Sequence, residues 1–247
     1  MSPSKQHERE AKQARERLRL YQARQTVHAS QHSRRRRDNW VAGIVAIIAI
    51  GLAILGQWAY FENSGSTSTK PLTLPSKTLA DNRTWTGKLT INNIPLGVEL
   101  DGKQAPQAVS STIYLAKKKF YDGLSCHRLT TSGIYVLQCG DPQGTGSGGP
   151  GYQYGPIENA PSDNIYPAGT LAMARESNNA KSQGSQFFIV YKTSTIPSDE
   201  AGGYTIIGQV TSNLDTLISQ VADKGVQGGS TNGKPTVKTI IDSFTLQ

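Results

Sequence analysis

Hydrophobic and polar positions follow three different patterns along the chain. Residues 39–61 form one continuous apolar run without a charged side chain. Residues 62–83 are rich in Ser, Thr and Pro and hold few large apolar groups, which is typical of a linker. After residue 83, short alternating or apolar segments are separated by turn-forming residues, a pattern that predicts β-strands. The pattern therefore predicts one mostly β domain over residues 84–247.

Two segments of this domain have a helical pattern instead. Pro106 stands where a first helical turn begins, and apolar residues recur through residues 107–120. A second amphipathic segment, NLDTLISQVADKG, ends at Gly225. Many short strands with only two helices predict an antiparallel barrel or sandwich that carries helical caps.

The apolar run is long enough to cross a lipid bilayer, which takes about 20 apolar residues. Aromatic residues stand near its ends, as they do at membrane interfaces, and residues 34–37, all arginine, come shortly before it. The run is too long for the apolar core of a cleaved signal peptide. By the positive-inside rule, the sequence predicts a single-pass plasma-membrane protein with a cytoplasmic N-terminus and an extracytoplasmic domain.

The positive charge of the chain is concentrated before this run. Residues 1–38 contain eleven Lys and Arg against four acidic residues, out of a formal net charge of +8 for the whole chain. The remainder is close to neutral, so no nucleic-acid-binding face is expected on the domain. For the basic tail itself, a helix on the membrane surface and a disordered segment that fixes topology both stay open.

The residue inventory of the domain excludes several kinds of chemistry. It holds one histidine, His127, and two cysteines, Cys126 and Cys139, so neither a histidine-cluster metal site nor a closed zinc site is expected. The segment GTGSGG (residues 144–149) matches the G-x-G-x-x-G pattern. Pro150 and Gly151 follow it, however, so no helix N-terminus is available to hold a phosphate. No cofactor is predicted.

One predicted hairpin carries polar residues among apolar ones. Residues 127–141 read HRLTTSGIYVLQCGD, with strand-forming runs on both sides of Thr-Ser-Gly. Arg128 is then either a solvated edge residue paired with an acid or a group directed into a pocket. Cys126 and Cys139 flank the hairpin and are placed to face each other, either as a disulfide or as two buried thiols.

The segment FYDGLSCHRLTTSGIYVLQCGDPQGTGSGGPGY, followed by GTLAMA, GSQFFIVY and YTIIGQV, resembles the cyclophilin family of peptidyl-prolyl isomerases. The motifs occur in the family's order and spacing and cover nearly all of residues 84–247. The chain is similar in particular to membrane-anchored cyclophilins of actinobacteria. The resemblance implies a closed eight-stranded antiparallel barrel capped by two helices, here preceded by a single transmembrane helix.

The resemblance also implies a set of site residues. Arg128 matches the catalytic arginine and Gln138 the glutamine beside it. The positions that match the substrate-binding groove are His127, Tyr135, Val136, Ala174, Gln186, Phe188, Ile196 and Tyr204. The implied activity is cis–trans isomerisation of X-Pro bonds, without a metal or cofactor.

The sequence departs from the family pattern at several places. The hairpin turn TTSGI and the loop of residues 174–183 are longer than usual, so a role of Arg175 in the neighbouring specificity pocket does not carry over. Tyr204 replaces a histidine, and Ile196 or Pro197 stands where a tryptophan is common. Since that tryptophan helps to bind cyclosporin in the family, weak cyclosporin binding is expected.

Three functions are compatible with these observations. The first is an exported, membrane-tethered prolyl isomerase that assists the folding of secreted proline-containing polypeptides. The second is a non-catalytic module or chaperone that grips proline segments, motivated by the altered rim and the longer loop. The third is a scaffold in which residues 1–38 recruit a partner. Retention of Arg128 favours the first, because a pure binder has little need of it.

Overall fold

The computed structural model describes residues 72–247. The predicted cytoplasmic tail, the predicted membrane anchor at residues 39–61 and the start of the predicted linker lie outside the described residues. Over residues 72–247, no helix is both long and apolar enough to cross a membrane.

The described part begins before residue 84. A single 3₁₀ turn, Lys77–Ala80, is capped at its start by Ser76. The backbone N–H of Ala80 donates to Ser110 Oγ at 2.9 Å, and the indole N–H of Trp85 donates to the Ala80 carbonyl at 2.8 Å. The second half of the segment predicted as a linker therefore packs against the domain.

The first two strands form a tight hairpin. Strand β1 (Thr84–Ile91) pairs antiparallel with β2 (Ile94–Asp101), and the turn between them is made by Asn92 and Asn93. Both asparagines have positive φ, 49° and 62°, as a two-residue turn that matches strand twist requires. The alternating pattern of this region predicted these strands correctly.

Both predicted helices are present. Helix α1 (Pro106–Lys117) has proline at its first turn, where no N–H is needed. The carboxylate of Glu158 accepts hydrogen bonds from the N–H groups of Gln107 and Ala108 and so caps the positive end of the helix. Helix α2 (Leu214–Gln220) is shorter and buries Leu217.

The remaining strands complete a curled, mostly antiparallel sheet. Nine strands form the main sheet in the order β10-β3-β4-β7-β6-β9-β2-β1-β11, and β5 pairs with β8 separately. Their bounds are β3 Arg128–Thr130, β4 Val136–Cys139, β5 Ile165–Tyr166, β6 Thr170–Met173, β7 Phe187–Val190, β8 Ser194–Thr195, β9 Ile206–Ser212, β10 Asn232–Gly233 and β11 Ile241–Leu246.

The structure differs from the predicted closed barrel of eight strands: the main sheet has nine strands and is not closed by pairing of its two edge strands. The terminal strands β10 and β11 do not pair with each other. Instead, residues 123–126 bond to residues 239–241, for example from Cys126 N–H to the Thr239 carbonyl at 2.9 Å. The ninth strand was missed because β10 has only two residues inside a turn-rich segment and therefore shows no periodicity.

Strands β4, β6 and β7 are covered on both faces, and this positions the site. Their side chains alternate between two apolar clusters, so that Phe187 enters the larger one and Phe188 the smaller one. The larger cluster lies against α1 and forms the main core. The smaller one contains Val136, Tyr166, Ala172, Phe188, Val190 and Ile196, with Ile134, Ala174, Tyr204 and Ile206 packed at its border.

Candidate active site

The hairpin predicted around Thr-Ser-Gly is present and brings two polar residues together. In the register of β3 and β4, Arg128 lies directly opposite Gln138, and Gln138 lies opposite Phe188 of β7. Phe188 in turn lies opposite Ala172 of β6. Residues opposite each other share a face of the sheet, so these four form one row. With about 4.8 Å between strands, Arg128 and Phe188 stand roughly 10 Å apart along the row.

The guanidinium of Arg128 is held from two sides by neutral groups. Its Nε–H donates to Asn232 Oδ1 at 2.9 Å, and Nη1 donates to Gln138 Oε1 at 3.2 Å. Arg128 forms no ion pair within residues 72–247. Within this part of the chain, the alternative of an edge arginine paired with an acid is therefore wrong. Arginine has five N–H donors, and three of Arg128's therefore remain for another acceptor.

Gln138 connects this arginine to the Gly-rich loop. Its Nε2 donates to Gln186 Oε1 at 2.9 Å, and Gln186 Nε2 donates to the carbonyls of Gly146 and Gly148, both at 2.9 Å. The amides of Gln138 and Gln186 are thereby fixed in one orientation each. This chain of hydrogen bonds runs along the edge of the row and holds Arg128 at its end.

Asp141 organises the Gly-rich loop from inside. Its carboxylate accepts from the N–H groups of Gln143 (2.7 Å), Thr145 (2.9 Å) and Gly146 (2.5 Å). Burial alone would raise the pKa of Asp141, but these backbone hydrogen bonds outweigh it and lower the pKa. These three backbone N–H groups are thus occupied by the protein's own carboxylate.

The smaller apolar cluster lies beside Gln138 on the same face of the sheet. Phe188, 5% exposed, and Val136, 2% exposed, belong to it, and Ile196 is buried with them. The ring of Tyr204 meets Phe188 edge to face, with centroids 5.6 Å apart. Ala174 borders the cluster, and its N–H donates to the Gln186 carbonyl at 2.9 Å.

The structure corrects the placement predicted for Tyr135. Tyr135 packs against the main core, with its ring 5.9 Å from that of Tyr191 and with Lys192 Nζ 4.5 Å from its centroid. Ile134 packs against the smaller cluster in its place. The reason is the two-residue period of a strand: counting back from Gln138, residues 136 and 134 share its face and residue 135 does not.

Arg175 is bonded in a different way from Arg128. Its Nη1 and Nη2 donate to the two carboxylate oxygens of Asp199, both at 2.8 Å, and its other N–H groups donate to the carbonyls of Glu176, Gly202 and Gly203. The side chain is 1% exposed and lies over the ring of Tyr204, at 4.7 Å from the centroid. The bidentate pairing lowers the pKa of Asp199 well below its ordinary 3.8. Arg175 therefore fixes the loop and has no donor left for a ligand.

A polar cavity of about 780 Å³ adjoins the row on the side of Gln186. Its walls are the Gly-rich loop and the loop that follows Ala174. The hydrogen bonds of Arg175 to Glu176 and Asp199 hold one of its walls in place.

His127 lies next to Arg128 but points to other surroundings. It is half-buried, and neither ring nitrogen has a hydrogen-bonding partner among the described residues. It lines a second cavity of about 270 Å³ together with Cys126, Lys234 and Lys238. Burial lowers the pKa of His127 below its ordinary 6.5; the negative charge of Asp141 opposes this shift and the positive charge of Arg128 adds to it.

This shift predicts that the folded protein loses stability as the pH falls below 6.5. The unfolded chain binds a proton at His127 more readily than the folded one, so protonation favours unfolding. We expect the midpoint of thermal unfolding to fall between pH 6.5 and pH 5, and to fall less in His127→Gln, as measured by circular dichroism. The other three histidines are common to both proteins. Equal slopes for the two proteins would contradict the assignment.

The two cysteines are joined. Cys126 and Cys139 form a disulfide with their Cα atoms 3.9 Å apart, so of the two alternatives left open by the sequence the structure has the bridge. Both residues are buried.

Two residues of the site were missed by sequence reasoning. Ile134 has a signal in the sequence, namely its two-residue spacing from Val136 and Gln138. Asn232 has none: it lies in the turn-rich stretch GGSTNGKP and reaches Arg128 only because β10 pairs with β3.

Comparison with known proteins adds independent findings. A family model described as cyclophilin type peptidyl-prolyl cis-trans isomerase/CLD matches residues 87–245. A probable peptidyl-prolyl cis-trans isomerase B of Mycobacterium tuberculosis is 39% identical over 207 residues, covering 78% of this chain and 65% of the relative. A peptidyl-prolyl cis-trans isomerase B of Bacillus subtilis is 40% identical over 118 residues, covering 47% of this chain and 76% of the relative. The chain thus spans about two thirds of the mycobacterial relative.

Solved structures agree with the fold. A cyclophilin type peptidyl-prolyl cis-trans isomerase of Cryptosporidium parvum superimposes with a TM-score of 0.56 at 26% identity, covering 67% of this chain and 98% of that one. A second structure of that protein, in the presence of the dipeptide Ala-Pro, has a TM-score of 0.55 at 28% identity and covers 66% of this chain and 98% of that one.

Proposed function

The chain belongs to the cyclophilin-type peptidyl-prolyl cis-trans isomerase family, and we propose that it accelerates the rotation of X-Pro peptide bonds. The observation that carries the proposal is the row Arg128–Gln138–Phe188, in which a guanidinium with free donors stands near an apolar cluster on the same face of the sheet. Relatives from two bacterial genera carry the name of this activity.

The reaction needs rotation about an amide bond and no bond cleavage. Resonance in the amide gives a barrier of about 18–20 kcal/mol, while the cis and trans isomers of X-Pro differ by only about 0.5–1 kcal/mol. A catalyst therefore has to weaken conjugation in the twisted state. An acceleration of about 10⁵-fold corresponds to roughly 7 kcal/mol. Because no bond is made or broken, the proposed reaction requires neither a nucleophile nor a metal.

Arg128 is suited to stabilise the twisted state. As conjugation is lost, the prolyl nitrogen becomes pyramidal and gains a lone pair that can accept a hydrogen bond. The three free N–H groups of Arg128 can supply the donor, and arginine stays charged at any relevant pH. Since Asn232 and Gln138 already fix the guanidinium, little reorganisation is needed when the bond twists.

The apolar cluster is the proposed binding place of the proline ring. Phe188, Val136 and Ile196 offer buried carbon surface close to Gln138, and the ring of Tyr204 closes one side. With the proline ring held there, rotation occurs in the part of the substrate that precedes it. Gln138 and Gln186 offer polar atoms to the substrate backbone along the same edge.

The direct test is exchange spectroscopy by NMR on a short Ala-Pro peptide with the 247-residue chain. The proposal predicts cross-peaks between cis and trans signals at mixing times far below the uncatalysed tens of seconds. Binding without faster exchange would instead indicate a proline-binding module or chaperone, and the isomerase proposal would be wrong.

We further propose that residues 39–61 anchor the protein in the plasma membrane with the domain outside, where secreted proline-containing polypeptides are its substrates. The arginines at residues 34–37 and the uncharged run support this orientation. The Cys126–Cys139 disulfide is consistent with an oxidising exterior. Protease added to intact spheroplasts should degrade the domain; protection until the membrane is broken would contradict the orientation.

Cyclosporin is expected to inhibit weakly. Ile196 is buried in the smaller cluster and Pro197 is exposed, so neither supplies an indole ring or its N–H donor at the rim. Inhibition constants measured by the exchange assay should lie well above the nanomolar range, and Pro197→Trp should lower the constant. Nanomolar inhibition of the unmodified chain would show this prediction to be wrong.

A further inference from the structure

The strands that carry Arg128 and Gln138 are joined by a very short ladder. Strand β3 has three residues, and its register with β4 consists of two pairs, Arg128↔Gln138 and Leu129↔Leu137. The polar pair is therefore the last rung. Beyond it, residues 123–126 leave β4 and bond to residues 239–241 instead.

The disulfide lies immediately past this last rung. Cys139 follows Gln138 directly, and Cys126 precedes Arg128 by two residues. The sulfur bridge thus joins the two strands where their backbone pairing has ended. Both cysteines are buried, at 3% and 0% exposure, and belong to the main core on the other side of the sheet from the site.

We propose that the Cys126–Cys139 disulfide is a positioning element that holds Arg128 against Gln138 in the geometry needed for isomerisation. The inference rests on the proposed function. Without the bridge, the segment before β3 is fixed to residues 239–241 but no longer to β4, and only two register pairs hold the strands together, so they can separate at the polar pair. The hydrogen bond from Nη1 to Gln138, at 3.2 Å, breaks first in such a movement.

The hydrogen bond to Asn232 does not replace the disulfide. Asn232 also holds Arg128, but it is exposed and belongs to a strand of two residues, which follows β3 because it pairs with β3. Asn232 therefore moves with Arg128 and cannot fix its position relative to β4 and Phe188. A shift of about 1 Å in a catalytic group is enough to lower turnover strongly.

Loss of the bridge should leave the fold in place. Leu129 and Leu137 remain buried in the main core, and β4 keeps four register pairs with β7. Reduction by a phosphine breaks the S–S bond and gives two thiols, while the phosphine is oxidised to its oxide with oxygen from water. Both residues stay small and apolar after this change.

The experiment compares the oxidised chain, the phosphine-reduced chain and Cys126→Ala/Cys139→Ala in the exchange assay, well below the unfolding temperature. We expect kcat to fall roughly tenfold and KM to change less than about twofold in both altered forms, because positioning rather than the pocket is affected. Re-oxidation of the reduced chain should restore kcat. A lower unfolding temperature with unchanged kcat would mean that the bridge is only structural and would overturn the proposal.

Two further measurements test whether the disulfide acts on the reaction through Arg128. In Arg128→Ala, reduction should have no additional effect on the residual rate, whereas a full further loss would contradict positioning of Arg128. The NMR signal of the Arg128 Nη1–H that is bonded to Gln138 should exchange faster with solvent after reduction, whereas the Nε–H bonded to Asn232 should change little. The Nη1–H signal also tests the proposal if the oxidised chain shows no isomerase activity, an outcome that would reject the proposed function before any reduction is made.

Discussion

Arg128→Ala is expected to lower kcat/KM for X-Pro exchange by about 100- to 1000-fold, the loss typical when one preorganised donor to a transition state is removed. The variant removes the only described guanidinium on the row that still has free N–H groups. Because Arg128 is half-buried and forms no ion pair in the described part of the chain, no buried carboxylate is left without a partner. The unfolding midpoint should therefore change little, and the exchange assay together with thermal unfolding checks both expectations.

Two matched variants sharpen this test. Arg128→Lys keeps the positive charge, but an ammonium cannot be held by Asn232 and Gln138 in the same fork, so activity should remain well below that of the unmodified chain. Arg83→Ala removes an exposed arginine whose guanidinium lies 3.7 Å over the ring of Trp85, and it should leave activity unchanged. An Arg128→Ala protein with a third or more of the original rate would place catalysis elsewhere.

The two arginines near the site show what a sequence does not reveal. Both lie beside short apolar segments, and their residue type is the same. Arg175 directs all of its N–H groups at Asp199 and at backbone carbonyls, whereas Arg128 keeps most of its donors free. The difference depends on which acceptors the folded loops bring near, and this is a property of tertiary structure.

Other features could be predicted from local sequence patterns. Alternation predicted β1 and β2, the strand-forming runs on both sides of Thr-Ser-Gly predicted the hairpin, and Pro106 predicted the start of α1. The family motifs placed Gln138, Gln186 and Phe188, which the structure joins through one row and one hydrogen-bonded chain. Their action on substrate stays a prediction.

The misplaced residue shows the limit of matching by family position. Tyr135 was assigned to the groove by its count from Gln138, although the strand period assigns that face to Ile134. Neither family matching nor strand period could predict Asn232 and the two-residue β10, because they reach the site only through the long-range pairing of β10 with β3.

Phe188→Ala is expected to have the second largest effect. Its ring supplies much of the buried surface of the smaller cluster, and loss of such a contact with a proline ring removes about 2–3 kcal/mol of apolar burial. At about 1.4 kcal/mol for each tenfold, kcat/KM should fall roughly 30- to 140-fold. Removal of a buried phenylalanine also lowers the unfolding free energy by about 3–5 kcal/mol, so activity has to be measured well below the unfolding temperature.

The neighbouring phenylalanine provides the matched control. Phe187 lies on the opposite face of β7, in the main core, where its ring meets Tyr121 edge to face at 5.6 Å. Phe187→Leu and Phe188→Leu are therefore the same substitution at adjacent residues, each expected to cost less stability than the about 3–5 kcal/mol of Phe→Ala. If the pocket holds the proline ring, only Phe188→Leu lowers kcat/KM. Equal losses of activity in the two leucine variants would show that Phe188 acts through stability alone, and the apolar cluster would then not be the proline pocket.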